Sequence, residues 1–199
     1  MSETSVSKPN FMELASIVAC TPEDFADLRE LHKAAINHSG WHFYSLAEVA
    51  AKLQEIDEPD YTIALLNGHG LLARINHVLV GTSAWRPSNE HPQTAVITQL
   101  YVNPLFANGG ISTALIEETE QIAYDNGFRW ISAQVDFNSR AFFARLGYES
   151  KGFKGCKPER SVQYPLQVMT RHISAHYSDR STDKSLTSKL VVHEPVISD

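Results

Sequence analysis

The stretch between residues 95 and 135 constrains the fold more than any other part of the sequence. The apolar run 95–102 predicts a strand, and the run 128–135 predicts a second one. Between them, apolar side chains recur at helical spacing: Ile111, Leu115 and Ile122. A helix that connects two strands of one sheet makes them parallel and lies on one face of that sheet. The sequence therefore predicts a parallel strand pair.

The other predicted elements make the sheet mixed. An apolar run at 14–20 predicts a first strand, and two amphipathic helices follow it, separated by a break at residues 38–44. The second helix begins with a capping box formed by Ser45 and Glu48. A hairpin is predicted to turn at residues 76–77. The predicted order is strand, two helices, three strands, helix, strand, helix and two strands, with Asn138 capping the last helix. The fold class is therefore α/β (α+β), with a mixed, mostly antiparallel central sheet.

The folded part of the chain is predicted to be one domain that spans residues 13–173. Residues 1–12 are polar, and residues 174–199 are rich in Ser, Thr, Asp and Lys without periodicity, so both ends are predicted to be flexible. Within the C-terminal tail, the apolar segment 190–192 leaves a further short strand as an alternative. A length of 199 residues suits one domain that buries its core without disulfides.

Charge and composition argue against several classes of protein. The 17 basic and 23 acidic residues give a net charge of -6, whereas nucleic-acid and anionic-membrane binders usually have an excess of basic residues. No apolar run approaches the roughly 20 residues of a membrane span, and the N-terminus lacks the apolar core of a secretion signal. Cys20 and Cys156 form no disulfide framework, and no CxxC or HExxH pattern predicts a metal site. We therefore expect a cytoplasmic protein without a metal, nucleic-acid or membrane partner.

The loop before the central helix contains Gly109-Gly110. Successive backbone N–H groups in such a loop, together with the positive end of a helix, can bind a phosphate or pyrophosphate. Glycine allows the backbone to approach such a ligand closely because it has no Cβ. The loop lacks both the Lys-Ser/Thr ending of a Walker motif and the spacing of a dinucleotide fingerprint. Taken alone, a glycine pair before a helix is more often only a tight turn.

Four segments in order resemble the GNAT superfamily of acyl-CoA-dependent N-acyltransferases. They are Leu100-Tyr-Val-Asn-Pro104, the glycine loop, the helix end Asp125-Asn-Gly-Phe128, and Asn138-Ser-Arg-Ala-Phe-Phe-Ala-Arg-Leu-Gly-Tyr148. With flanking elements the resemblance spans roughly residues 14–171. It implies helices on both faces of the sheet and a bulge that splays the parallel strand pair. It also implies acetyl-CoA as co-substrate, with its pyrophosphate in the glycine loop and its pantetheine arm in the gap between the strands.

The resemblance further implies which residues would contact the cofactor. Backbone groups of Tyr101 and Val102 would meet the acetyl and pantetheine amides, and Asn138 would touch the pantetheine arm. The phosphates would meet the loop and the first helical turn: Asn108, Gly109, Gly110, Ile111, Ser112 and Thr113. Phe143 stands at the cofactor site where many family members have a Tyr that protonates the departing thiolate. The loop also departs from the family pattern, which has Arg or Gln in place of Ala107 and Gly in place of Ser112.

At the positions of the catalytic acid and base, this chain departs from the family pattern. Ser139, one turn before Phe143 on the same helical face, is a candidate substitute for the missing acid, although its position is also typical of a helix start. The family often has a Glu base where this chain has Gln99, and an amide cannot take a proton. His42 lies in the region that forms the floor of the family's acceptor pocket and titrates near neutral pH, so it is the candidate base. The alternative for His42 is an exposed loop histidine.

The predicted function is transfer of an acetyl group from acetyl-CoA to an amine acceptor by direct attack, without an acyl-enzyme. The predicted acceptor is a small-molecule or peptide amine, and a homodimer is a compatible assembly. The alternative is a CoA-binding sensor or partner-binding module with weak or no catalysis. Three residues favour that alternative: Gln99, Ala107 and Phe143.

Overall fold

The predicted order of strands and helices is confirmed by a computed structural model, which describes residues 11–40, 44–62, 65, 69–154 and 166–174. The strands are β1 (Ser16–Ala19), β2 (Gly70–Ile75), β3 (Val78–Pro87), β4 (Thr94–Val102), β5 (Trp130–Val135), β6 (Glu149–Lys154) and β7 (Leu166–His172). The α-helices are α1 (Phe25–Gly40), α2 (Leu46–Asp57), α3 (Ile111–Asp125) and α4 (Arg140–Arg145).

The seven strands form one mixed sheet in the order β1-β2-β3-β4-β5-β7-β6. β4 and β5 run parallel, with Thr94 opposite Trp130, and the other five neighbouring pairs are antiparallel. The β2–β3 hairpin turns at Asn76 and His77, whose φ angles of 48° and 67° both lie in the left-handed region, as a type I′ turn requires. The predicted mixed, mostly antiparallel sheet is thus confirmed.

Helices cover both faces of the sheet. Successive side chains of β3 point to opposite sides, and apolar side chains on each side pack into a cluster. Leu79 and Ala84 pack in a cluster with Leu28 of α1, which is fully buried. Val80 and Trp85 belong to the cluster on the other face, which contains the buried side chains of α3. Each fully buried large apolar side chain of this kind contributes about 1.5–3 kcal/mol. α2 packs mainly on α1 and capping-box hydrogen bonds between Ser45 and Glu48 fix its start, as predicted.

The parallel pair separates along its length, which opens a gap in the sheet. Pairing joins Thr94–Ile97 of β4 to Trp130–Ala133 of β5, and the rest of β4 continues without this partner. The separation begins beside Gln99, whose φ is 49°. There the register between β3 and β4 shifts, so that β4 carries an extra residue. The bulge turns the end of β4 away from β5, as the resemblance implied.

The first helix is longer than the sequence pattern suggested. α1 continues through Ser39 to Gly40, where the sequence predicted a break. The Ser39 hydroxyl donates to the Ala35 carbonyl at 2.8 Å, so this polar residue is satisfied inside the last turn. Gly40 lies against α2, and a Cβ at this position would stand 2.8 Å from Cγ2 of Val49. Tertiary packing against α2 therefore extends the helix.

The predicted cap of α4 is wrong by one residue. Ser139, not Asn138, occupies the N-cap position. The acceptor at this helix start is Asp136, whose Oδ1 receives the backbone N–H of Ser139 at 3.0 Å and its hydroxyl at 2.8 Å. The Asp136 carboxylate, three residues before Ser139, thus provides the hydrogen-bond acceptor at this helix start. The side chain of Asn138 does not cap the helix.

Several predictions fall on residues that the structure does not describe. The last described residue is Ser174, so the tail with its apolar segment 190–192 lies outside the described residues. Among the helices in the described ranges, none combines the length and apolar character that crossing a bilayer demands. In the same ranges, no three His, Cys, Asp or Glu side chains cluster as metal ligands would.

Candidate active site

Two adjoining cavities open along the C-terminal end of β4. The loop cavity, about 660 Å³, lies between residues 106–113 and the helix α4. The splay cavity, about 230 Å³, lies in the gap between β4 and β5 and is closed by α1 and α2. Ser39 and Ser139 line both cavities, so the two form one cleft.

The loop between β4 and α3 presents the start of α3 to the loop cavity. Asn108 and Gly110 have φ angles of 64° and 87°, which turn the chain sharply before the helix. Gly110 is the N-cap and has no side chain to cap the helix. The first N–H groups of an α-helix have no partner within the helix, and the helix dipole makes them attractive to an anion. The start of α3 is therefore a suitable phosphate site.

Gly109 lies on the other side of this loop. A Cβ at this position would collide with the ring of Phe11, which packs edge-on against Phe106 with ring centroids 5.1 Å apart. The Met12 N–H donates to the Gly109 carbonyl at 3.2 Å. Phe11 and Met12 belong to the segment predicted to be flexible, and the structure places both against the loop. The lack of a side chain at Gly109 thus has a packing reason.

The structure brings most of the predicted cofactor residues together. Those that line the loop cavity are Val102, Asn108, Gly110, Ile111, Ser112, Thr113 and Asn138. Tyr101 and Phe143 line the splay cavity, and Ser139 lies where the cavities meet. Gly109 lines neither. His42 lies outside the described residues.

Asn138 presents an unsatisfied hydrogen-bond acceptor at the loop cavity. Its Oδ1 is buried and has no hydrogen-bond partner among the described residues. A buried polar atom without a partner is unfavourable, so such atoms in native structures call for a ligand or water. An amide N–H of a bound ligand would satisfy this oxygen.

The hydroxyl of Ser139 is already engaged. It donates to Oδ1 of Asp136 at 2.8 Å, and the other oxygen of Asp136 lies 3.9 Å from Nζ of Lys52. Nζ of Lys52 in turn stands 4.0 Å from the ring centroid of Tyr44, a cation–π contact. Ser139 is therefore part of a polar chain that links α4 to α2.

Phe143 lines the splay cavity but belongs mainly to the core. It is 3% exposed, and its ring meets that of Tyr148 edge-on at a centroid distance of 5.1 Å. Its backbone N–H donates to the Ser139 carbonyl at 3.0 Å, so Ser139 lies one helical turn away as the sequence indicated. A phenyl ring has no proton to donate.

Gln99 is held at the bulge by both its backbone and its side chain. Its carbonyl oxygen accepts the Thr82 hydroxyl at 3.0 Å. Its Nε2 donates to the Tyr61 carbonyl at 2.7 Å, while its Oε1 is buried without a hydrogen-bond partner among the described residues. The residue thus faces the splay cavity in a fixed orientation.

A buried histidine, which sequence reasoning missed, supports this arrangement. His32 of α1 is fully buried, with Nε2 2.6 Å from the Thr82 hydroxyl and Nδ1 2.6 Å from the Tyr61 hydroxyl. Burial lowers the pKa of His32 to about 3, so the ring is neutral. A signal was available, since His32 lies four residues after Leu28 on the apolar face of α1.

Sequence reasoning also missed the contribution of α2 to the splay cavity. Lys52 and Glu55 both line it, and they lie three residues apart on one face of α2. Charged residues at this spacing normally form the solvent face of a helix, so no sequence signal distinguished them.

Comparisons with known proteins agree with the fold and the cleft. The sequence pattern of the acetyltransferase (GNAT) family matches residues 25–148. An uncharacterized N-acetyltransferase of Methanocaldococcus jannaschii is 26% identical over 149 residues, which cover 71% of this chain and 64% of that protein. The chain thus spans less than two thirds of that relative's length.

Two solved structures show the same fold. A GCN5-related N-acetyltransferase from Rhodopseudomonas palustris has a TM-score of 0.70 at 24% identity, covering 79% of this chain and 95% of that chain. The PaiA N-acetyltransferase from Thermoplasma acidophilum, solved in complex with coenzyme A, has a TM-score of 0.62 at 18% identity, covering 80% and 99%. Since the family pattern also matches more than half of the sequence, the chain belongs to the GNAT family of acetyltransferases.

Proposed function

We propose that the chain transfers an acetyl group from acetyl-CoA to the nitrogen of an amine acceptor. The observation that carries this proposal is the single cleft in which the uncapped start of α3 adjoins the gap between β4 and β5. A helix start suits a diphosphate, and a gap along a strand edge suits a long arm that contains amides. The family membership and the coenzyme A in the Thermoplasma relative support the same ligand.

The residues of the cleft fit this ligand. The first-turn N–H groups of α3 would bind the phosphates, and the Ser112 hydroxyl would add a donor. The orphaned Oδ1 of Asn138 would accept an amide N–H of the pantetheine arm. Backbone groups of Tyr101 and Val102, beyond the point where β4 leaves β5, would bind the remaining amides. Bound acetyl-CoA supplies an activated acetyl thioester.

The proposed reaction is direct attack without an acyl-enzyme. The neutral nitrogen bonds to the acetyl carbon, the C–S bond breaks, and the electron pair leaves with sulfur. A backbone N–H at the bulge would polarise the thioester oxygen. The nitrogen loses one proton, to His42 or water, and the thiolate takes one from water. Ser139 would deliver that proton only after its bond to Asp136 breaks.

The acceptor is proposed to be a small-molecule or peptide amine, and a cytoplasmic chain that acts alone or as a homodimer is consistent with this. The net charge of -6 suits a cationic amine in solution. The second candidate function is a CoA-binding module with weak or no catalysis. The observation that favours it is Phe143, which stands in the cleft without a proton to donate.

Acetyl-CoA is expected to raise the melting temperature of the protein, because a ligand that binds only the native state stabilises it by about 2.7 kcal/mol at 100 times its Kd. Thermal unfolding with and without millimolar acetyl-CoA measures this effect. An unchanged melting temperature would contradict both candidate functions. CoA release measured over a panel of amines, peptides and polyamines then separates the enzyme from the binding module.

Replacing Phe143 with tyrosine is expected to raise kcat or leave it level, because the new hydroxyl can donate a proton to the departing thiolate. The ring is 3% exposed, so a hydroxyl without a partner would destabilise the fold by about 1–3 kcal/mol. The measurements are kcat at saturating acetyl-CoA and the melting temperature. Phe142→Tyr, on the loop-cavity side of the same helix, is the matched control. A sharp fall in kcat with unchanged stability and acetyl-CoA affinity would make Phe143 a positive part of the mechanism.

A further inference from the structure

We propose that Gln99 forms the subsite for the acceptor nitrogen: its Oε1 accepts one N–H of a weakly basic primary amine that binds in its neutral form. The inference rests on the proposed function and names the acceptor class for that same site.

The side-chain amide of Gln99 has only one reasonable orientation. Its Nε2 donates to the Tyr61 carbonyl at 2.7 Å, and the flipped amide would bring two carbonyl oxygens together instead. The Oε1 atom is therefore the end that is left without a partner within the described ranges, in a residue that lines the splay cavity. It is buried, and no described residue donates a hydrogen bond to it. An acceptor in this state calls for a donor from water or a ligand.

The backbone of Gln99 is fixed as firmly as its side chain. The Thr82 hydroxyl has one proton, which it donates to the Gln99 carbonyl, so it must accept from His32 Nε2–H. His32 Nδ1 then accepts the Tyr61 hydroxyl. Because burial keeps His32 neutral, this chain of bonds keeps the same direction over the whole range in which an amine acetyltransferase works.

Gln99 also stands where the reaction has to occur. Its φ of 49° is uncommon for a residue other than glycine, and such strain in a native structure is concentrated at functional sites. The residue lies two positions after Ile97, where pairing of β4 with β5 ends, and it lines the splay cavity. An amine held there would lie beside the strand edge that is proposed to bind the acetyl group.

An amide at this position determines which amines can react. A neutral primary amine has two N–H groups and one lone pair, so it can donate one N–H to Oε1 and direct the lone pair at the thioester. It then forms the N–C bond while the C–S bond breaks, and it loses its extra proton to water. Gln99 cannot remove a proton from an ammonium group. The form of the amine that Gln99 selects is therefore the neutral one.

The charged groups around Gln99 include carboxylates that require a test of their own. Lys52 and Glu55 face the splay cavity from α2, and Asp136 faces it after β5. Three tyrosines also line it: Tyr44, Tyr61 and Tyr101. Asp136 accepts two hydrogen bonds from Ser139 and stands 3.9 Å from Lys52, so its carboxylate is already engaged. Glu55 is therefore the carboxylate that a test has to exclude as the base.

The test compares a tripeptide with a free α-amino group and an N-acetyl-lysine amide with a free ε-amino group. Their amino groups have pKa values of about 8 and 10.4. The neutral fraction of the α-amine is therefore roughly 200 times that of the ε-amine at pH 7.5, and about ten times at pH 9.5. We expect kcat/KM to favour the α-amine by about two orders of magnitude at pH 7.5, with the ratio narrowing as pH rises. Equal kcat/KM values for the two amines at pH 7.5 would overturn the inference. A tenfold rise of the α/ε ratio of kcat/KM in Glu55→Gln would also overturn it, because Glu55 would then be the base for the ε-amine.

Two variants of Gln99 test the subsite itself. Gln99→Met keeps the length of the side chain and removes its acceptor, so kcat/KM for the α-amine is expected to fall at least tenfold while Kd for acetyl-CoA stays within twofold. Gln99→Glu adds a carboxylate that can take a proton, so the α/ε ratio is expected to fall at least tenfold. Gln54→Met, at an exposed position of α2, is the control and should change neither kcat/KM for the α-amine nor the α/ε ratio. An unchanged kcat/KM in Gln99→Met would overturn the inference.

The inference and the proposed function fail in different ways. Native protein that binds no acetyl-CoA and releases no CoA contradicts the proposed function. If acetyl-CoA binds without turnover, the subsite is tested by calorimetric titration of the tripeptide into protein saturated with CoA. Binding that weakens at least fivefold in Gln99→Met supports the inference, and absent or unchanged binding overturns it.

Discussion

Replacing Glu120 with alanine is expected to lower the free energy of unfolding by about 3 kcal/mol. The Glu120 side chain is 1% exposed; it accepts the Tyr148 hydroxyl at 2.8 Å and lies 3.1 Å from Nη1 of Arg171. The variant removes this acceptor and leaves a cavity between α3 and the sheet. The value lies at the low end for a broken buried ion pair because Arg171 is 29% exposed and can be hydrated. Urea unfolding at pH 7 measures it.

Two further variants define the origin of this effect. Glu149→Ala removes an exposed carboxylate, 77% accessible and paired with Lys151, and is expected to change stability by less than about 0.5 kcal/mol. Glu120→Gln keeps an acceptor for Tyr148 and removes the charge, so it should lose less stability than alanine. A Glu149→Ala loss as large as that of Glu120→Ala would contradict the assignment to burial.

The pH dependence of the glutamine variant has a definite sign. Burial raises the pKa of Glu120 above its ordinary value and outweighs the opposing effects of Tyr148 and Arg171. The folded state therefore holds this proton more tightly than the unfolded state does. The resulting stabilisation is present below the ordinary pKa of 4.5 and is lost as pH rises through the raised value. The stability of the native protein relative to Glu120→Gln should fall across this window, and a rise would contradict the argument.

Replacing Gly110 with aspartate is expected to weaken acetyl-CoA binding at least tenfold. The substitution adds a Cβ and a negative charge at the N-cap of α3, where the phosphates are proposed to lie. It also forces a side chain onto a φ of 87°, which costs about 1–2 kcal/mol. Calorimetric titration with acetyl-CoA measures the affinity, and circular dichroism checks that the fold survives.

The opposite end of α3 supplies a matched control for this variant. Gly127 follows the helix with a φ of 89°, and a Cβ there would meet open space. Gly127→Asp therefore introduces the same strain and the same charge far from the loop, and acetyl-CoA affinity should stay within about twofold of native. If both variants lost the same acetyl-CoA affinity, the weaker binding would result from reduced stability of the fold. Native affinity in Gly110→Asp would show that the phosphates bind elsewhere.

Local signals in the sequence predicted the framework of this fold. The Ser45 capping box, the turn at residues 76–77 and the strand–helix–strand unit 95–135 all depend on residues close in sequence, and each is confirmed. The alternation that defines a strand or a helix comes from backbone geometry, so it can be read without knowing the partner.

The features that sequence reasoning missed depend on contacts between distant residues. His32 and Thr82 are 50 positions apart, and only the packing of α1 on β3 makes the histidine a buried link to the bulge. Asn138 and Ser139 are both good N-cap types, and Ser139 takes the position because Asp136, at the end of β5, accepts its backbone N–H. The family resemblance, rather than periodicity, indicated the predicted cofactor residues, most of which line this one cleft.

The segment that begins at Phe11 packs against the loop between β4 and α3, where the phosphates are proposed to bind. The 3₁₀ turn Phe11–Glu13 holds the loop from behind: the Met12 N–H donates to the Gly109 carbonyl, and the Phe11 ring packs against Phe106. A short turn outside the sheet can open locally while the sheet stays folded. If the loop binds the phosphates as proposed, its affinity for them and the opening of this turn are thermodynamically linked, so a substitution that releases Phe11 alters both together. Amide exchange at Met12 thus gives a readout of the loop that requires no catalysis.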